Sequence, residues 1–164
     1  MPQQATIASL LTEEELALQD TVRRFMNSEV EPLCTAMESA GQPPRELILK
    51  MGQLGLLASF FPEEYGGSGA SIATRAIISE ETARVNAGFD ITLFADIVLF
   101  ARALNNYGTH EQKLKYLVPV LRGEKIGAMA ITETKGGSNA LGARTSGRAK
   151  GGGYVVNGAK TFIT

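Results

Sequence analysis

Residues 126–164 read IGAMAITETKGGSNALGARTSGRAKGGGYVVNGAKTFIT, and they differ in kind from everything before them. The first 124 residues carry 10 Lys/Arg against 16 Asp/Glu, whereas the last 40 carry 6 against 1. Nine of the 18 glycines fall in those 40 residues, and no proline does. Short apolar alternating runs at Ile126–Ile131, Tyr154–Val156 and Thr161–Ile163 are separated by Gly, Asn and Lys, which predicts strands and turns. Asn157-Gly158 suits a two-residue hairpin turn with positive φ at both central positions, joining Tyr154–Val156 to Ala159–Thr164. A basic, glycine-rich β segment after an acidic helical one places a boundary near Gly123. The expected division is a helical domain over residues 1–124 and the beginning of a β domain over 125–164.

Working outward, the preceding residues carry helix punctuation. Thr12 to Glu15 is T-x-x-E, a capping box, and Leu16, Val22, Phe25, Met26, Val30 and Leu33 follow at helical spacing. Pro32 is expected to kink that helix, since it removes a backbone donor and crowds the preceding turn. Pro43-Pro44 suits the first turn of a second helix, with Leu47, Ile48, Met51 and Leu54 as its apolar side and Gly55 as a left-handed cap. Ile72 to Val85 reads as a third helix, interrupted by Asn86-Ala87-Gly88. A fourth, strongly apolar helix is expected from Asp90, stopped by Gly108. Thr109 to Gln112 is a second capping box, opening a helix that runs to Gly123.

Composition narrows the function classes. Hydrophobic content of 44% with 20% charged residues is that of a globular chain, and a net charge of −1 gives no case for nucleic acid or an anionic membrane. No run approaches the ~18 apolar residues of a membrane span. The start MPQQATIASLLTEEE lacks the basic and long apolar regions of a secretory leader, so a cytoplasmic location is expected. One cysteine, Cys34, excludes an internal disulfide, and with a single His in the chain no metal site is expected.

Candidate chemical residues each have a bland reading beside the functional one. Cys34 is expected to be a packing residue. Asp96, inside the apolar helix, is either a catalytic carboxylate or a buried hydrogen-bonded one, and the second reading is preferred. His110 in a first helical turn is read as a solvated surface site. The loop Phe60–Gly69 lacks the Gly-Lys-Ser/Thr ending and the preceding strand of a nucleotide loop, so it is read as a connection. Thr132-Glu133-Thr134-Lys135-Gly136-Gly137-Ser138-Asn139 is either an anion-binding nest with Ser138 as an added donor or an ordinary turn. On a final strand, Phe162 and Thr164 share one face on which a planar cofactor can rest. A sheet of three or four strands leaves edges and one face poorly covered, so these residues are expected to belong to something larger.

Taken together, Pro62-Glu63-Glu64-Tyr65-Gly66-Gly67, then Ala130-Ile131-Thr132-Glu133 leading to Gly137-Ser138, and Asn157-Gly158-Ala159-Lys160 leading to Phe162-Ile163-Thr164, resemble an acyl-CoA dehydrogenase in order and spacing. Looser matches are Phe25 with Glu31-Pro32, Leu54-Gly55-Leu56 and Tyr107–Lys113. The resemblance runs from about Leu11 to Thr164. It implies a mainly α fold here: an N-terminal helical bundle, then the first strands of a β-barrel-like middle domain. It also implies a C-terminal helical bundle outside these residues, with FAD between the middle and C-terminal domains.

The implied activity is α,β-desaturation of an acyl-CoA thioester with hydride transfer to flavin N5, an electron-transfer protein as acceptor, and a homotetrameric intact enzyme. Related acyl-CoA oxidases and flavin monooxygenases share the resemblance, and a non-catalytic helical interaction module is the alternative outside the enzymes. By position, Ile131 and Thr132 would meet the flavin ring, Gly137 and Ser138 the FAD pyrophosphate or the CoA portion of substrate, Phe162 the flavin face, and Thr164 the flavin N5. Phe162 stands where the family usually has Trp, Thr134 where proline is usual, and Asn139 where aspartate is usual. The family's glutamate base belongs to the C-terminal domain, so no residue here takes that role. This polypeptide alone is expected to be inactive and to retain FAD weakly or not at all.

Overall fold

Thr12 opens the fold as its spacing predicts. Its hydroxyl accepts the Glu15 N–H at 3.2 Å, and the Glu15 carboxylate accepts the Thr12 N–H at 2.9 Å. The computed structural model describes residues 11–164; the stretch 1–10, part of the segment read above for a leader, lies outside the described residues. Helix α1 spans Glu13–Phe25. Around Pro32, where a kink is expected, the helical path is irregular: the chain widens into a π-type turn over Met26–Val30, tightens over Glu31–Leu33, and resumes as α2, Cys34–Ala40. Helix α3, Arg45–Gln53, starts one residue later than the proline pair suggests. Pro44 keeps an extended backbone (ψ 131°) and serves as the cap residue outside the first turn. Gly55, at φ 73°, makes the left-handed exit.

Helix α4 runs Ile72–Val85, as its apolar spacing predicts. The next helix begins earlier than Asp90. Asn86 alone makes the break, because its side chain accepts the Phe89 N–H at 2.7 Å and starts α5 at Ala87. α5 (Ala87–Leu93) passes through a π-type stretch, Phe94–Ala101, into α6 (Arg102–Tyr107), and Gly108 ends it with extended backbone. The second capping box forms at Thr109 and opens α7 (His110–Gln112), which winds through Lys113–Leu117 into α8 (Val118–Leu121).

The described residues divide into two compact units, one ending at Gly127 and one comprising Ala128–Thr164. In the first, α1 packs on α4 and α4 on α5. Val22, Met26, Met51, Phe61, Ile78, Phe89, Leu93, Ile97 and Leu117 are buried in one continuous core. Burying each of the larger side chains stabilises the unit by about 1.5–3 kcal/mol before entropy is charged. Two glycines allow α3 to meet the exit of α8: no Cβ fits at Gly52 against the Arg122 backbone, or at Gly123 against the Ile48 backbone. Polar ties are few and paired. Arg23 donates from Nε at 3.0 Å and Nη2 at 2.6 Å to Glu81, and Arg84 Nε donates to the same carboxylate at 3.2 Å. These bonds, Arg23's first, hold Glu81 below the usual carboxylate range although it is buried. Arg75 donates to Asp90 at 3.3 Å, with Ser79 donating to the other oxygen at 2.7 Å.

The second unit corrects the strand assignment. Its only regular pair among the described residues is β1 (Ser146–Lys150) with β2 (Gly153–Asn157), antiparallel, with Lys150 opposite Gly153 and Ser146 opposite Asn157. Ile126–Ile131 and Thr161–Ile163 are not strands. The hairpin turn is Gly151-Gly152 at φ 60° and 79°, not Asn157-Gly158. Two consecutive glycines enter the left-handed region without a Cβ penalty at either position, whereas Asn157-Gly158 frees only one. Asn157 stays in the ladder, and Gly158 packs against Thr145 with no room for a Cβ.

Candidate functional site

Glu133 is the single acidic residue among the last 40, and the second unit is built round it. Its carboxylate accepts the Arg144 N–H at 2.8 Å, the Thr145 N–H at 2.9 Å, the Thr145 hydroxyl at 2.7 Å and the Lys160 ammonium at 3.0 Å. Lys160 also donates to the Ile131 carbonyl at 2.9 Å. The two backbone N–H bonds, then Thr145 Oγ1 and Lys160, hold the Glu133 carboxyl at about 2. A short turn closes beside it, with Glu133 and Gly136 exchanging backbone bonds at 3.3 and 3.0 Å.

This scaffold brings together three of the residues singled out in the sequence. Thr161 N–H donates to the Thr132 carbonyl at 3.0 Å, which sets Ile131-Thr132 alongside Thr161-Phe162. Phe162 is 92% exposed and holds φ 55°, the one non-glycine residue with positive φ among those described. A bulky side chain in that region costs about 1–2 kcal/mol, and such strain concentrates at ligand sites. Ile131, whose carbonyl Lys160 reaches, is 41% exposed. Gly137 lies next to the Thr132 side chain, where an added Cβ would sit 3.6 Å from Cγ2. Ser138 and Thr164 are exposed, and no hydrogen bond among the described residues ties either to the others. The positive φ at Phe162 also breaks the alternation that put Phe162 and Thr164 on one strand face.

The anion-nest reading loses one donor, because the Gly136 N–H is spent on the Glu133 carbonyl. A cavity of about 180 Å³ lies on the other side of that turn, lined by Ile131, Lys135, Gly136, Asn139 and Arg144 among others. Asn139 caps the tight turn Ala140–Gly142, accepting the Gly142 N–H at 3.2 Å. Glu133 and Lys160 stand in the sequence as parts of motifs. The signal that marks them is charge: one carboxylate in a stretch with six cations is the residue those donors converge on.

In the first unit the bland readings hold. Asp96 is 1% exposed and accepts the Gly127 N–H at 2.6 Å, while its second oxygen has no partner. Burial pushes its carboxyl up to about 7 against the opposing Gly127 bond. His110 is exposed, with Nδ1 3.2 Å from the Tyr65 hydroxyl and 3.3 Å from Glu64. Cys34 is half-buried, its thiol 3.6 Å from the Val30 carbonyl. The Phe60–Gly69 loop spends its polar groups on itself: Gly69 N–H donates to Phe61 O, Ala70 N–H to Ser59 O, and Ser68 Oγ to Ser59 O. It is a connection. No helix among the described residues is long and apolar enough to cross a membrane.

Residues 12–124 match the family model described as "Acyl-CoA dehydrogenase, N-terminal domain". This chain belongs to the acyl-CoA dehydrogenase family. It is 39% identical over 154 residues to the short-chain specific acyl-CoA dehydrogenase of Clostridium acetobutylicum, covering 94% of this chain and 41% of that protein. It is 37% identical over 159 residues to the mitochondrial long-chain specific acyl-CoA dehydrogenase of Mus musculus, covering 96% and 36%. Among solved structures, an acyl-CoA dehydrogenase from Bacillus anthracis complexed with FAD superimposes with a TM-score of 0.86 at 36% identity, covering 93% of this chain and 27% of that one. The acyl-CoA dehydrogenase chain described here therefore spans about two fifths of the length of the curated relatives it matches. The family match and the mainly helical fold agree with the resemblance read from the motifs.

Proposed function

We propose that residues 125–164 are the opening part of the FAD- and substrate-binding β domain of an acyl-CoA dehydrogenase, following a helical domain over residues 1–124. In this reading Ile131, Thr132, Phe162 and Thr164 face the flavin, and Gly137 and Ser138 lie toward the pyrophosphate or the CoA portion of substrate. The observation that carries it is Phe162: an aromatic ring 92% exposed, on a strained backbone, next in the chain to Thr161, whose N–H donates to the Thr132 carbonyl. Those residue types fit a flat, mostly apolar ring with a polar edge. Phe162 supplies the aromatic face, Ile131 an apolar contact and Thr132 a hydroxyl. The FAD in the Bacillus anthracis relative supports the choice of ring.

Bound flavin supplies a hydride acceptor for a substrate whose α-proton is removed by a base. No residue of this chain is assigned that base, which the family resemblance puts in its C-terminal domain. The chain's own contribution is to orient the ring and exclude water from one side, work that depends on rigid placement. The intact enzyme acts on an acyl-CoA thioester, passes electrons to an electron-transfer protein, assembles as a homotetramer and works in the cytoplasm. Relatives named for short and for long chains match this segment at 39% and 37% identity, so its overall identity does not separate the two classes.

The 164-residue polypeptide alone is expected to bind FAD only weakly and to leave acyl-CoA unoxidised. Titration with FAD into the millimolar range, followed by flavin fluorescence quenching, tests this. Wild type is expected to show weak saturable quenching that Phe162→Ala abolishes. Flavin retained stoichiometrically through purification contradicts the weak half-site. Identical titrations for wild type and Phe162→Ala contradict the flavin-facing assignment.

A further inference from the structure

The second unit poses a mechanical problem. Neither hairpin strand has a buried residue, so apolar packing there cannot fix where Ile131-Thr132 lies relative to Thr161-Phe162. One backbone bond, Thr161 N–H to Thr132 O, joins these two segments directly. Everything else that ties them passes through one carboxylate and one ammonium.

A carboxylate offers about four acceptor sites. Glu133 fills four, from Arg144, Thr145 (twice) and Lys160, residues 11, 12 and 27 positions away. Three of these bonds fall on Oε1 and one, from the Arg144 N–H, on Oε2, so the chain itself engages both oxygens. The same donors hold its carboxyl below the usual carboxylate range. Lys160 has three donors and spends two, on Glu133 and on the Ile131 carbonyl. The pair therefore joins three stretches: residues 131–133, the entry to β1 at 144–145, and the final segment 160–162. Two of these three carry the residues assigned to the flavin.

From this geometry we infer that Glu133, through Lys160, is the positioning residue of the cofactor face: it sets Ile131-Thr132 against Phe162 while touching neither cofactor nor substrate. The inference rests on the flavin reading above for what the face binds, and on this unit's own hydrogen bonds for what holds it. Substituting Gln puts an amide N–H against at least one of the four donors, whichever way the amide is turned. Substituting Arg for Lys160 keeps a cation that can still reach a carboxylate, whereas Met keeps only the stem.

The test uses the whole chain with no flavin added, in wild-type, Glu133→Gln, Lys160→Met and Lys160→Arg forms. Amide exchange is read residue by residue at Arg144, Thr145 and Thr161, the three N–H groups the network holds directly or through its pairing. Glu133→Gln and Lys160→Met are expected to speed exchange there roughly tenfold, the effect of losing one or more ordinary hydrogen bonds. Lys160→Arg is expected to stay within about threefold of wild type, and protected amides of the helical unit are expected not to change. A second arm titrates FAD into the four proteins. Quenching by FAD is expected to weaken roughly tenfold in Glu133→Gln and Lys160→Met and to be rescued in Lys160→Arg, a pattern that mere loosening of a hairpin does not give. Unchanged exchange in Glu133→Gln overturns the positioning role whatever FAD does. Faster exchange with no FAD binding to wild type, even at millimolar concentration, overturns the flavin reading and, with it, the cofactor-facing part of the inference. Faster exchange with equal FAD binding in all four proteins overturns the link between the network and the face.

Discussion

Residues 11–127 and 128–164 of one chain are held together by different physics. The helical unit buries a continuous apolar core and keeps its few charges paired at the margin, as Arg23, Arg84 and Glu81 do. The second unit leaves Tyr154, Val156, Leu141 and Phe162 in the open and is gathered by the four hydrogen bonds on Glu133. The difference teaches where each kind of evidence lives. A core writes itself into the sequence as periodicity; a carboxylate hub writes only its own letter. It also says what each unit tolerates, since burial is insensitive to small polar changes and a hub is not.

The largest contrast is expected from truncating one apolar side chain in each unit. Phe89, on α5, is buried in the core, and Phe89→Ala is expected to cost about 3–5 kcal/mol, seen as a much lower thermal or denaturant midpoint of the helical signal. Val156→Ala, on an exposed strand, is expected to change that midpoint by less than about 0.5 kcal/mol. Equal effects from the two would erase the distinction between a packed and an unpacked unit.

A middle-sized effect separates the units by pH. In the helical unit Asp96 has a folded carboxyl near 7 against an ordinary value of 3.8. A group raised in the folded state keeps its proton there while the unfolded chain has already lost it. Stability therefore falls as pH rises from about 4 to about 7, by an amount on the order of 2–4 kcal/mol. Asp96→Asn keeps an acceptor for the Gly127 N–H and is expected to remove that slope, so the two melting curves should diverge most near neutral pH. Glu133 carries the opposite sign. Its carboxyl is depressed from 4.5 to about 2, so its contribution is complete above about pH 4.5 and lost as pH falls through about 2. Parallel pH profiles for wild type and Asp96→Asn would show that the buried acid has another partner in solution.

Legibility follows the same division. Thr12, Thr109 and the Ile72–Val85 spacing gave correct elements because capping and apolar period act locally, within four residues. Asn86 was misread by three residues because a single side-chain cap needs no loop. At the candidate site, motif order located Ile131, Thr132 and Phe162, but nothing local says that Lys160 reaches back 29 residues to the Ile131 carbonyl. Nor does a T-F-I-T alternation reveal that φ turns positive at Phe162. Contacts made across such distances in sequence have no period to detect.

The smallest effect bears on the turn, where sequence and structure disagreed outright. Asn157-Gly158 is the stronger dipeptide signal, yet Gly151 and Gly152 hold φ 60° and 79° and close the ladder from Lys150–Gly153 to Ser146–Asn157. A β-branched residue at Gly151 must enter the left-handed region, at a cost of about 1–2 kcal/mol that falls on the hairpin alone. Gly151→Val is therefore expected to speed amide exchange along β2 while leaving the helical midpoint in place. Asn157→Ala removes no positive-φ residue and is expected to leave β2 exchange almost unchanged. The reverse outcome, with Asn157→Ala disruptive and Gly151→Val silent, would move the turn to residues 157–158. It would also separate Tyr154–Val156 from β1, pair it with the segment that carries Phe162, and so undo the placement of Phe162 beside Thr132.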